Sequence, residues 1–357
     1  MNEKILAINP GSTSTKIAVY DGRKQAFLKS IKHDQEKLRS FEHTADQFTF
    51  RKEMIVNEVR DAGFDLSQFS IVVGRGGLLK PIPGGVYEVN EAMIWELNHP
   101  VSEHESNLGG LIAHEIAKEI GPEVQAIIVD PICVDELDDI ARISGMPEIQ
   151  RKSIFHALNQ RAVARTFARE TGRKYEDLDL IVVHMGGGVT VGSHHHGVIV
   201  DVNNGLNGEG AMTPERTGSL PVGQLTELCY SGKYTRAEMM RKIKGQGGFS
   251  GYLGTNDVQE IESRIQDHDE YALLIFRAMA YQVAKEIGAA STVLKGNVDA
   301  ILLTGGVAHS KRMVELITER INHLGPVKVY PGEGEMEALA LNAYLVLTGE
   351  LKVKQYH

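Results

Sequence analysis

The chain has 357 residues, a net charge of −9 at pH 7, and a composition of 42% hydrophobic and 24% charged residues. A length beyond the roughly 100–200 residues of one domain indicates two domains with a sizeable core. The negative charge argues against a nucleic-acid partner, because proteins that bind nucleic acid usually carry basic patches. No apolar run approaches the roughly 18 residues of a membrane span, so we expect no membrane role.

The first residues and the two cysteines indicate the cellular compartment in which we expect the protein. Residues 1–20 lack the basic start, apolar centre and small-residue cleavage site of a signal peptide. Cys133 and Cys229 lie far apart and form no C-x-x-C motif, so neither a disulfide framework nor a zinc site is indicated. We therefore expect a cytoplasmic protein.

Runs rich in β-branched residues alternate with helical patterns along the whole chain. Strands are predicted, in chain order, over residues 5–9, 16–20, 26–31, 71–74, 125–129, 180–184, 189–193, 197–202, 300–304 and 327–330. Apolar residues at helical spacing predict helices over 50–62, 107–120, 153–170, 236–244, 270–294, 311–323 and 335–347. Ser153 and Thr235 are suited to cap two of these helices. The alternation predicts an α/β protein with largely covered sheets.

The order of elements near the start of the chain recurs further along. A strand, a glycine-containing loop and two more strands precede a helix at the start, and the same order begins again at residue 180. We interpret this as an internal duplication. It predicts a first domain over 1–175 and a second over 176–330, with the last helix, in 331–357, returning to the first domain.

Three glycine-rich loops each follow a predicted strand, at 9–14 (NPGSTS), 184–188 (HMGGG) and 304–307 (TGGV). Ligands of α/β sheets gather at the carboxyl ends of strands, so the three loops are candidates for one ligand site. None of them has the spacing of a P-loop or of a dinucleotide-binding loop. A Gly, Ser and Thr turn can aim backbone N–H groups at an anion, which indicates a phosphate-rich ligand. A plain polar turn remains the alternative for the first loop.

Two arginines stand next to glycines. Arg75 lies in VVGRGG (72–77) and Arg216 in TPERTGS (213–219). A guanidinium among small residues can reach an anion bidentately, and the alternative for each is a structural ion pair.

The acidic candidates for a metal are Asp130, directly after a predicted strand, and three glutamates near the last helix, Glu333, Glu335 and Glu337. A carboxylate at a strand end is a usual way to hold Mg²⁺, and this favours Asp130. The glutamates can instead simply complement the helix N-terminus.

His156 and His184 hold the best positions among the fourteen histidines, although a lone histidine is more often structural. The run His194-His195-His196 has the composition of a metal cluster. Because it precedes Gly197 at a predicted hairpin tip, we interpret it as a solvent-exposed turn.

Seven motifs occur in order along the chain: NPGSTSTK (9–16), GRGG (74–77), VDP (129–131), FHALNQ (155–160), HMGGG (184–188), PERTG (214–218) and LTGG (303–306). In this combination they resemble the acetate/butyrate kinase (acetokinase) family. The resemblance implies the duplicated actin-like fold of sugar kinases, actin and Hsp70 chaperones, with ATP between two lobes. It also implies Mg²⁺ and a homodimer or higher oligomer. The implied activity is reversible, direct in-line phosphoryl transfer from ATP to a short-chain fatty acid, butyrate or a branched relative, to give an acyl phosphate.

The resemblance also implies residue roles. Nucleotide-binding roles fall to Asn9, Ser12, Ser14, Lys16, Gly186, Gly187, Gly188, Asp257, Gly305 and Gly306, with Asp257 as a ribose contact. Arg75 and Arg216 would hold the acyl carboxylate and the phosphoryl group, and His156 and His184 would donate hydrogen bonds to that group. Asp130 and Glu335 would position Mg²⁺, while His104 (rather than His99) and Pro131 would contact the substrate. Gly187 replaces an asparagine of acetate kinases, which removes one contact.

Two other functions remain open from the sequence. One is a non-catalytic ATP-binding switch of the same fold, and the other is a sugar kinase in which Asp130 acts as a base. Arg75, Arg216 and His156 favour an enzyme over the switch, and the pair of Arg75 and Arg216 favours an anionic acceptor over a sugar.

Overall fold

The computed structural model describes residues 4–100 and 103–357. Across these residues the strands are β1 (Lys4–Pro10), β2 (Ser14–Asp21), β3 (Lys24–Lys32), β4 (Phe69–Arg75), β5 (Val86–Glu88), β6 (Gln125–Val129), β7 (Asp179–Met185), β8 (Val189–His195), β9 (Val198–Val202), β10 (Ala300–Gly305) and β11 (Val327–Pro331). The helices are α1 (Gln35–Arg39), α2 (Phe48–Asp61), α3 (Glu91–Asn98), α4 (Asn107–Ile120), α5 (Asp139–Arg142), α6 (Ala157–Glu170), α7 (Val222–Tyr230), α8 (Arg236–Ile243), α9 (Gly248–Leu253), α10 (Val258–Gln266), α11 (Glu270–Val293), α12 (Lys311–Ile321) and α13 (Glu335–Leu347). In the described part of the chain, no helix combines the length and the apolar character needed to cross a bilayer.

The first compact unit comprises Met1–Val134 and Gly334–His357. Its six-stranded sheet has the order β3-β2-β1-β4-β6-β5, in which β1, β4 and β6 are parallel and β1-β2-β3 is an antiparallel meander. Side chains of one sheet face, such as Leu6, Ile8 and Val72, share a core with α2 and α4. The helix α13 packs against β1 and β4. This packing brings the start of α13 into the same unit as the carboxyl ends of the parallel strands.

The second compact unit is Asp135–Glu333. Its sheet has the order β11-β10-β7-β8-β9, with β7, β10 and β11 parallel and β7-β8-β9 antiparallel. Leu180 and Val182 of β7 share a core with α6, whereas Ile181 and Val183 share one with α11. Because successive strand residues point to opposite faces, helices cover both sides, and the strand reads as a continuous apolar run.

The two sheets confirm the duplication predicted from the order of elements. In each unit an antiparallel three-stranded meander is extended, at its first strand, by two parallel strands. The first unit adds β5 at the edge of this common arrangement.

Several predicted details differ from the structure. The short elements β5, α1, α3, α5, α7, α9 and α10 were not predicted. The shortest of them, β5, α1, α5 and α9, carry too few residues for a period to show. The helices α3, α7 and α10 are as long as the predicted α8 and were missed. The helix predicted from 153 begins at Ala157 after His156, so Ser153 is not its cap. Thr235 does cap α8, in a capping box with Glu238. The second unit begins at Asp135 rather than near residue 175, because α6 packs against β7 and β10.

Candidate active site

A buried arginine anchors the first glycine-containing loop. Arg51 of α2 is fully buried and donates through Nη1 to the carbonyl oxygen of Gly11 at 2.8 Å and to Oγ1 of Thr15 at 3.1 Å. Its Nε and Nη2 both donate to Oε1 of Gln47. Ser12 stays exposed in this loop. Because a buried guanidinium is costly unless its donors are satisfied, these bonds fix the loop backbone.

His33 completes this support. Its backbone N–H donates to the carbonyl oxygen of Thr13 at 3.0 Å, and its Nε2 lies 2.8 Å from Oγ1 of Thr15. Burial, with a smaller contribution from Arg51, lowers the pKa of His33 to about 4. The ring is therefore neutral near pH 7 and supports the loop without adding charge.

Three predicted residues meet in the first unit. Asn9, at the end of β1, donates through Nδ2 to Oε2 of Glu335 at 2.7 Å. Arg75, at the end of β4, donates through Nη1 to the same oxygen at 3.1 Å and to Oδ1 of Asn9 at 3.3 Å. Glu335 opens α13 and is buried, whereas the Arg75 side chain is 23% exposed. Lys16 lies directly opposite Asn9 in the β1–β2 pairing and is exposed, and Ser14 begins β2.

Asp130 occupies a strained backbone position after β6. It is buried and has a φ of 37°, in the left-handed region that L-residues rarely adopt. Its Oδ1 accepts from the N–H of Gly85 at 2.8 Å, and its own N–H donates back to the Gly85 carbonyl at 2.9 Å. These bonds hold the carboxylate in one orientation at the end of a parallel strand.

The donor set of the first unit fits Mg²⁺, which prefers carboxylate oxygens. The hydrogen bonds of Glu335 with Asn9 and Arg75 both use Oε2, so Oε1 takes part in neither of them. Asp130 directly follows β6, and Glu335 opens α13, which also packs against β6. The chemistry of these two side chains is thus compatible with the ion that the sequence predicts.

The predicted substrate contacts differ in their surroundings. Pro131 is buried and lies against Gly76, where an added side chain would overlap Cβ of Pro131. His104 is partly buried, and its Nδ1 accepts from the N–H of Ser106 at 3.1 Å, which leaves the proton of the neutral ring on Nε2. His99 is exposed and caps α3, with Nδ1 at 2.7 Å from the Trp95 carbonyl oxygen. His104 therefore stays the predicted substrate contact, with His99 as the alternative.

In the second unit, His156 and His184 stack on each other. Their ring centroids are 3.8 Å apart at an interplanar angle of 13°. Nδ1 of His184 lies 2.7 Å from Oδ1 of Asn159, whose Nδ2 donates to the carbonyl oxygen of Glu333. A carbonyl only accepts, so Oδ1 of Asn159 is the acceptor and Nδ1 of His184 carries a proton. Nε2 of His184 then donates only when the ring is protonated.

A buried chain of hydrogen bonds leads from His156 into the core. Gln160 donates through Nε2 to the Thr190 carbonyl at 3.1 Å and to its Oγ1 at 2.9 Å, so Oε1 of Gln160 accepts from Nε2 of His194 at 3.0 Å. Burial holds the pKa of His194 well below its usual value, so Nδ1 accepts from the Tyr175 hydroxyl at 2.8 Å. The Thr190 hydroxyl is then oriented to donate to Nδ1 of His156 at 3.0 Å. In that arrangement the neutral His156 ring carries its proton on Nε2.

His194 corrects the interpretation of the histidine run as a solvent-exposed turn. It is fully buried, whereas His195 and His196 are exposed at the β8–β9 hairpin. The prediction failed for His194 because strand alternation points it inward toward Gln160.

The loop that carries Arg216 packs on the second glycine-rich loop. Oγ1 of Thr213 donates to the Gly187 carbonyl at 2.6 Å and accepts from the Arg216 N–H at 2.9 Å. A side chain at Gly188 would overlap Nη1 of Arg216, and one at Gly187 would meet the carboxylate of Glu215. Glu215 thus occupies the space that a side chain at position 187 would need.

Arg216 is desolvated. Burial lowers the pKa of its guanidinium, and Nη1 donates to the carbonyl oxygen of Gly205. Its Nε is buried and has no hydrogen-bond partner among the described residues. An unsatisfied buried donor is rare in native proteins and marks a candidate functional site.

The third glycine-rich loop follows β10. Gly305 has a φ of 92°, its backbone exchanges two 3.0 Å hydrogen bonds with Gly332, and a side chain there would overlap the Met185 carbonyl. A methyl group added at Gly306, in contrast, would meet open space. Asp257 caps α10, and its Oδ1 accepts from Gln259 N–H at 2.8 Å. A hydrogen bond from a ribose hydroxyl would therefore be added to a carboxylate that already caps a helix.

Sequence reasoning missed the residues that position the candidates, namely Arg51, Asn159, Gln160, Thr190 and Thr213. One signal was available for Arg51, which shares a helix face with Ile55 and Val59 and so is predicted to be buried. The others contact their partners only through tertiary packing.

Comparisons with known proteins bear on the family and the fold of the chain. A model described as the acetokinase family matches residues 110–335. The chain is 52% identical, over 357 residues and 100% of both chains, to Butyrate kinase 2 of Clostridium acetobutylicum. Its fold resembles an acetate kinase of Porphyromonas gingivalis, with a TM-score of 0.80, 20% identity and coverage of 96% of this chain and 99% of the other. A propionate kinase of Francisella tularensis gives 0.75 at 16% identity, over 95% and 98%.

The structural matches confirm the predicted actin-like α/β fold. The family match and the full-length relative confirm the family that the seven motifs resemble. Since the family model spans more than half of the chain and a full-length relative is more than half identical, the chain belongs to the acetokinase family.

Proposed function

We propose that this protein transfers the γ-phosphoryl group of ATP to the carboxylate of a short-chain fatty acid, giving ADP and an acyl phosphate. The preferred acid is butyrate or a branched relative. The observation that carries the proposal is the 52% identity over the full length to a relative named Butyrate kinase 2. The reaction is reversible, because an acyl phosphate is itself a high-energy phosphoryl donor.

The chemistry requires charge compensation more than proton removal. A carboxylic acid is already deprotonated near pH 7, so its attack on phosphorus needs no strong base. Two anions must instead be brought together, and catalysis then consists mainly of positioning and electrostatic stabilisation. This demand matches a set of arginines and histidines better than it matches a single general base.

In the first unit, Arg75 would hold the acyl carboxylate. Its hydrogen bonds to Asn9 and Glu335 both use Nη1. The other edge of the guanidinium, formed by Nε and Nη2, takes part in neither bond and suits a bidentate contact with a carboxylate. Asn9, Ser12, Ser14 and Lys16 would contact phosphate groups, supported by the anchored backbone of the loop. His104 and Pro131 would line the acyl group.

In the second unit, Arg216 and His156 would stabilise the moving phosphoryl group, and His184 would do so in its protonated form, in which Nε2 also carries a proton. His156 would donate from Nε2, and the desolvated Arg216 would supply a full charge at short range. Gly186, Gly187 and Gly188 would contact phosphates, while Gly305, Gly306 and Asp257 would contact adenosine.

Asp130 and Glu335 would hold Mg²⁺, whose chemistry when bound is to neutralise phosphate charge. Two observations support this role: the rigid orientation of Asp130, and the use of Oε2 alone in the hydrogen bonds of Glu335 with Asn9 and Arg75.

We also propose a cytoplasmic homodimer. Four large apolar side chains between residues 140 and 149 are more than half exposed, and a partner subunit would remove them from water: Ile140, Ile143, Met146 and Ile149. Sedimentation equilibrium tests this, and a monomer at all concentrations would contradict it.

One assay tests the activity. Purified protein is incubated with ATP, Mg²⁺ and a panel of carboxylates, and hydroxylamine traps acyl phosphate as a hydroxamate. We expect hydroxamate with butyrate. Nucleotide binding without hydroxamate would indicate the switch module, and ADP release that depends on a sugar would indicate the sugar kinase.

A further inference from the structure

Two exposed histidines and an aspartate converge at the β8–β9 hairpin, away from the residues assigned to phosphoryl transfer. Asp179, His195 and His196 each offer a ligand atom, and these atoms all lie within 4.8 Å of one another. Nδ1 of His195 is 2.6 Å and Nε2 of His196 is 3.9 Å from Oδ1 of Asp179. Asp179 begins β7 and His184 lies five residues along it, about 16 Å away at the usual rise of a strand.

The turn geometry produces this convergence. Successive residues of a strand point to opposite faces, which would separate His195 from His196. His196 instead has a φ of 49° and Gly197 a φ of 82°, as in a two-residue hairpin turn with both central residues left-handed. The turn brings the two imidazoles onto one side, stacked with centroids 4.2 Å apart.

The aspartate is held in place by its neighbours. The N–H of Asp179 donates to Oδ2 of Asp299 at 2.8 Å, and the N–H of Asp299 donates back to the Asp179 carbonyl at the same distance. Arg173 pairs with Asp299 and balances its charge. These bonds fix the backbone of Asp179 at the start of β7, from which its carboxylate reaches His195 and His196.

We propose that Asp179, His195 and His196 form a binding site for a transition-metal ion such as Zn²⁺. This ion favours imidazole nitrogen and carboxylate oxygen at about 2.0–2.2 Å in tetrahedral geometry, so its ligand atoms lie about 3.3 Å apart. The observed separations bracket that value, and small side-chain rotations bring the three atoms around one ion with water as fourth ligand. A bound ion would join the start of β7 to the tip of the β8–β9 hairpin.

The test is zinc titration calorimetry on protein without an affinity tag, first treated with EDTA. We expect the wild type to bind one more equivalent of Zn²⁺ than the double variant His195→Ala/His196→Ala. Each single change, and Asp179→Asn, should weaken this equivalent about 10-fold or more. The matched control is His268→Ala/His323→Ala, which removes two exposed histidines of the same unit and should bind as the wild type does.

Thermal unfolding supplies a second readout. Zn²⁺ at well above its Kd should raise the Tm of the wild type and control by several degrees more than that of the His195/His196 variant. Mg²⁺, which prefers oxygen ligands, should produce no such difference. Equal zinc stoichiometry and equal Tm shifts in wild type and double variant would overturn the proposal, because any bound zinc would then lie elsewhere.

Discussion

Asp130 combines a strained backbone with a fixed carboxylate, and this makes Asp130→Asn an informative substitution. Asn tolerates the left-handed region and keeps an oxygen to accept from Gly85 N–H, so the variant should fold with a Tm close to that of the wild type. Loss of the charge should lower kcat by about 10²-fold or more if Asp130 holds Mg²⁺. Steady-state kinetics over a Mg²⁺ series measures this, and near-normal kcat in the folded variant would remove the role.

The two arginines should differ in their kinetic signatures. Arg216→Ala should lower kcat about 10²–10³-fold with a smaller change in the KM for ATP, because it removes charge stabilisation in the transition state. Arg75→Ala should mainly raise the KM for the carboxylate. If both variants weakened ATP binding alone, the proposed acyl and phosphoryl roles would be wrong.

The buried hydrogen-bond chain behind His156 makes Thr190 a positioning residue. Thr190→Val keeps the shape of the side chain but removes the hydroxyl that lies 3.0 Å from Nδ1 of His156. We expect kcat to fall about 10-fold at an unchanged KM for ATP, with Thr190→Ser restoring most of it. Nitrogen-15 NMR of the imidazoles should show His156 protonated on Nε2 in the wild type and a tautomer mixture in the Val variant. The same Nε2 tautomer in both proteins would contradict the positioning role.

At the scale of elements, the glycine-rich loop after β10 offers a matched pair. Gly305→Ala should lower the Tm, because φ is 92° there and a methyl group would overlap the Met185 carbonyl. Gly306→Ala meets open space, so its Tm should be unchanged. If adenosine lies against Gly306, the second variant should still raise the KM for ATP several-fold. Unfolding curves and ATP titrations distinguish the two effects, and a Gly306→Ala enzyme with normal KM would exclude the adenosine contact.

The loop after β1 shows how much of an element its sequence predicts. The strands around the loop and the helix near residues 50–62 were predicted from periodicity and are present. The bonds that make the loop rigid come from Arg51, forty residues further along the chain from Gly11. A local sequence pattern does not reveal a contact between residues forty positions apart. The strands at the two ends of the loop were therefore predictable, but its anchor, Arg51, was not.

At the scale of the whole molecule, the preferred length of the acyl chain tests the proposal that the substrate is butyrate. Butyrate has two CH₂ groups more than acetate, each worth about 0.8 kcal/mol when buried, so an apolar pocket should favour butyrate about 15-fold in kcat/KM. In the first unit, Pro131 lies against Gly76, and Leu79 is buried four residues after Arg75. We expect these apolar residues to line the acyl pocket. Measurement of kcat/KM for acetate, propionate, butyrate, isobutyrate and valerate checks this. Acetate used as well as butyrate would contradict the preference and leave the acyl kinase chemistry intact.

The sequence by itself determined the class of fold, the duplication and most long elements, because hydrophobic periodicity and strand–helix alternation are local signals. Its ordered motifs also led to the acetokinase family, which the full-length relative and the family match support independently. The roles of Arg75, Arg216, His156, His184 and Asp130 remain predictions that rest on those motifs.

Tertiary structure decided which side chains meet. Only the fold brings Glu335 to Asn9 across 326 residues, stacks His156 on His184, and turns His194 inward while His195 and His196 stay outside. It also sets the direction of hydrogen bonds in the buried chain through Gln160, and hence the imidazole tautomers. These features depend on long-range packing and on burial, which lowers the dielectric around each group. Neither can be predicted from a short segment of the sequence.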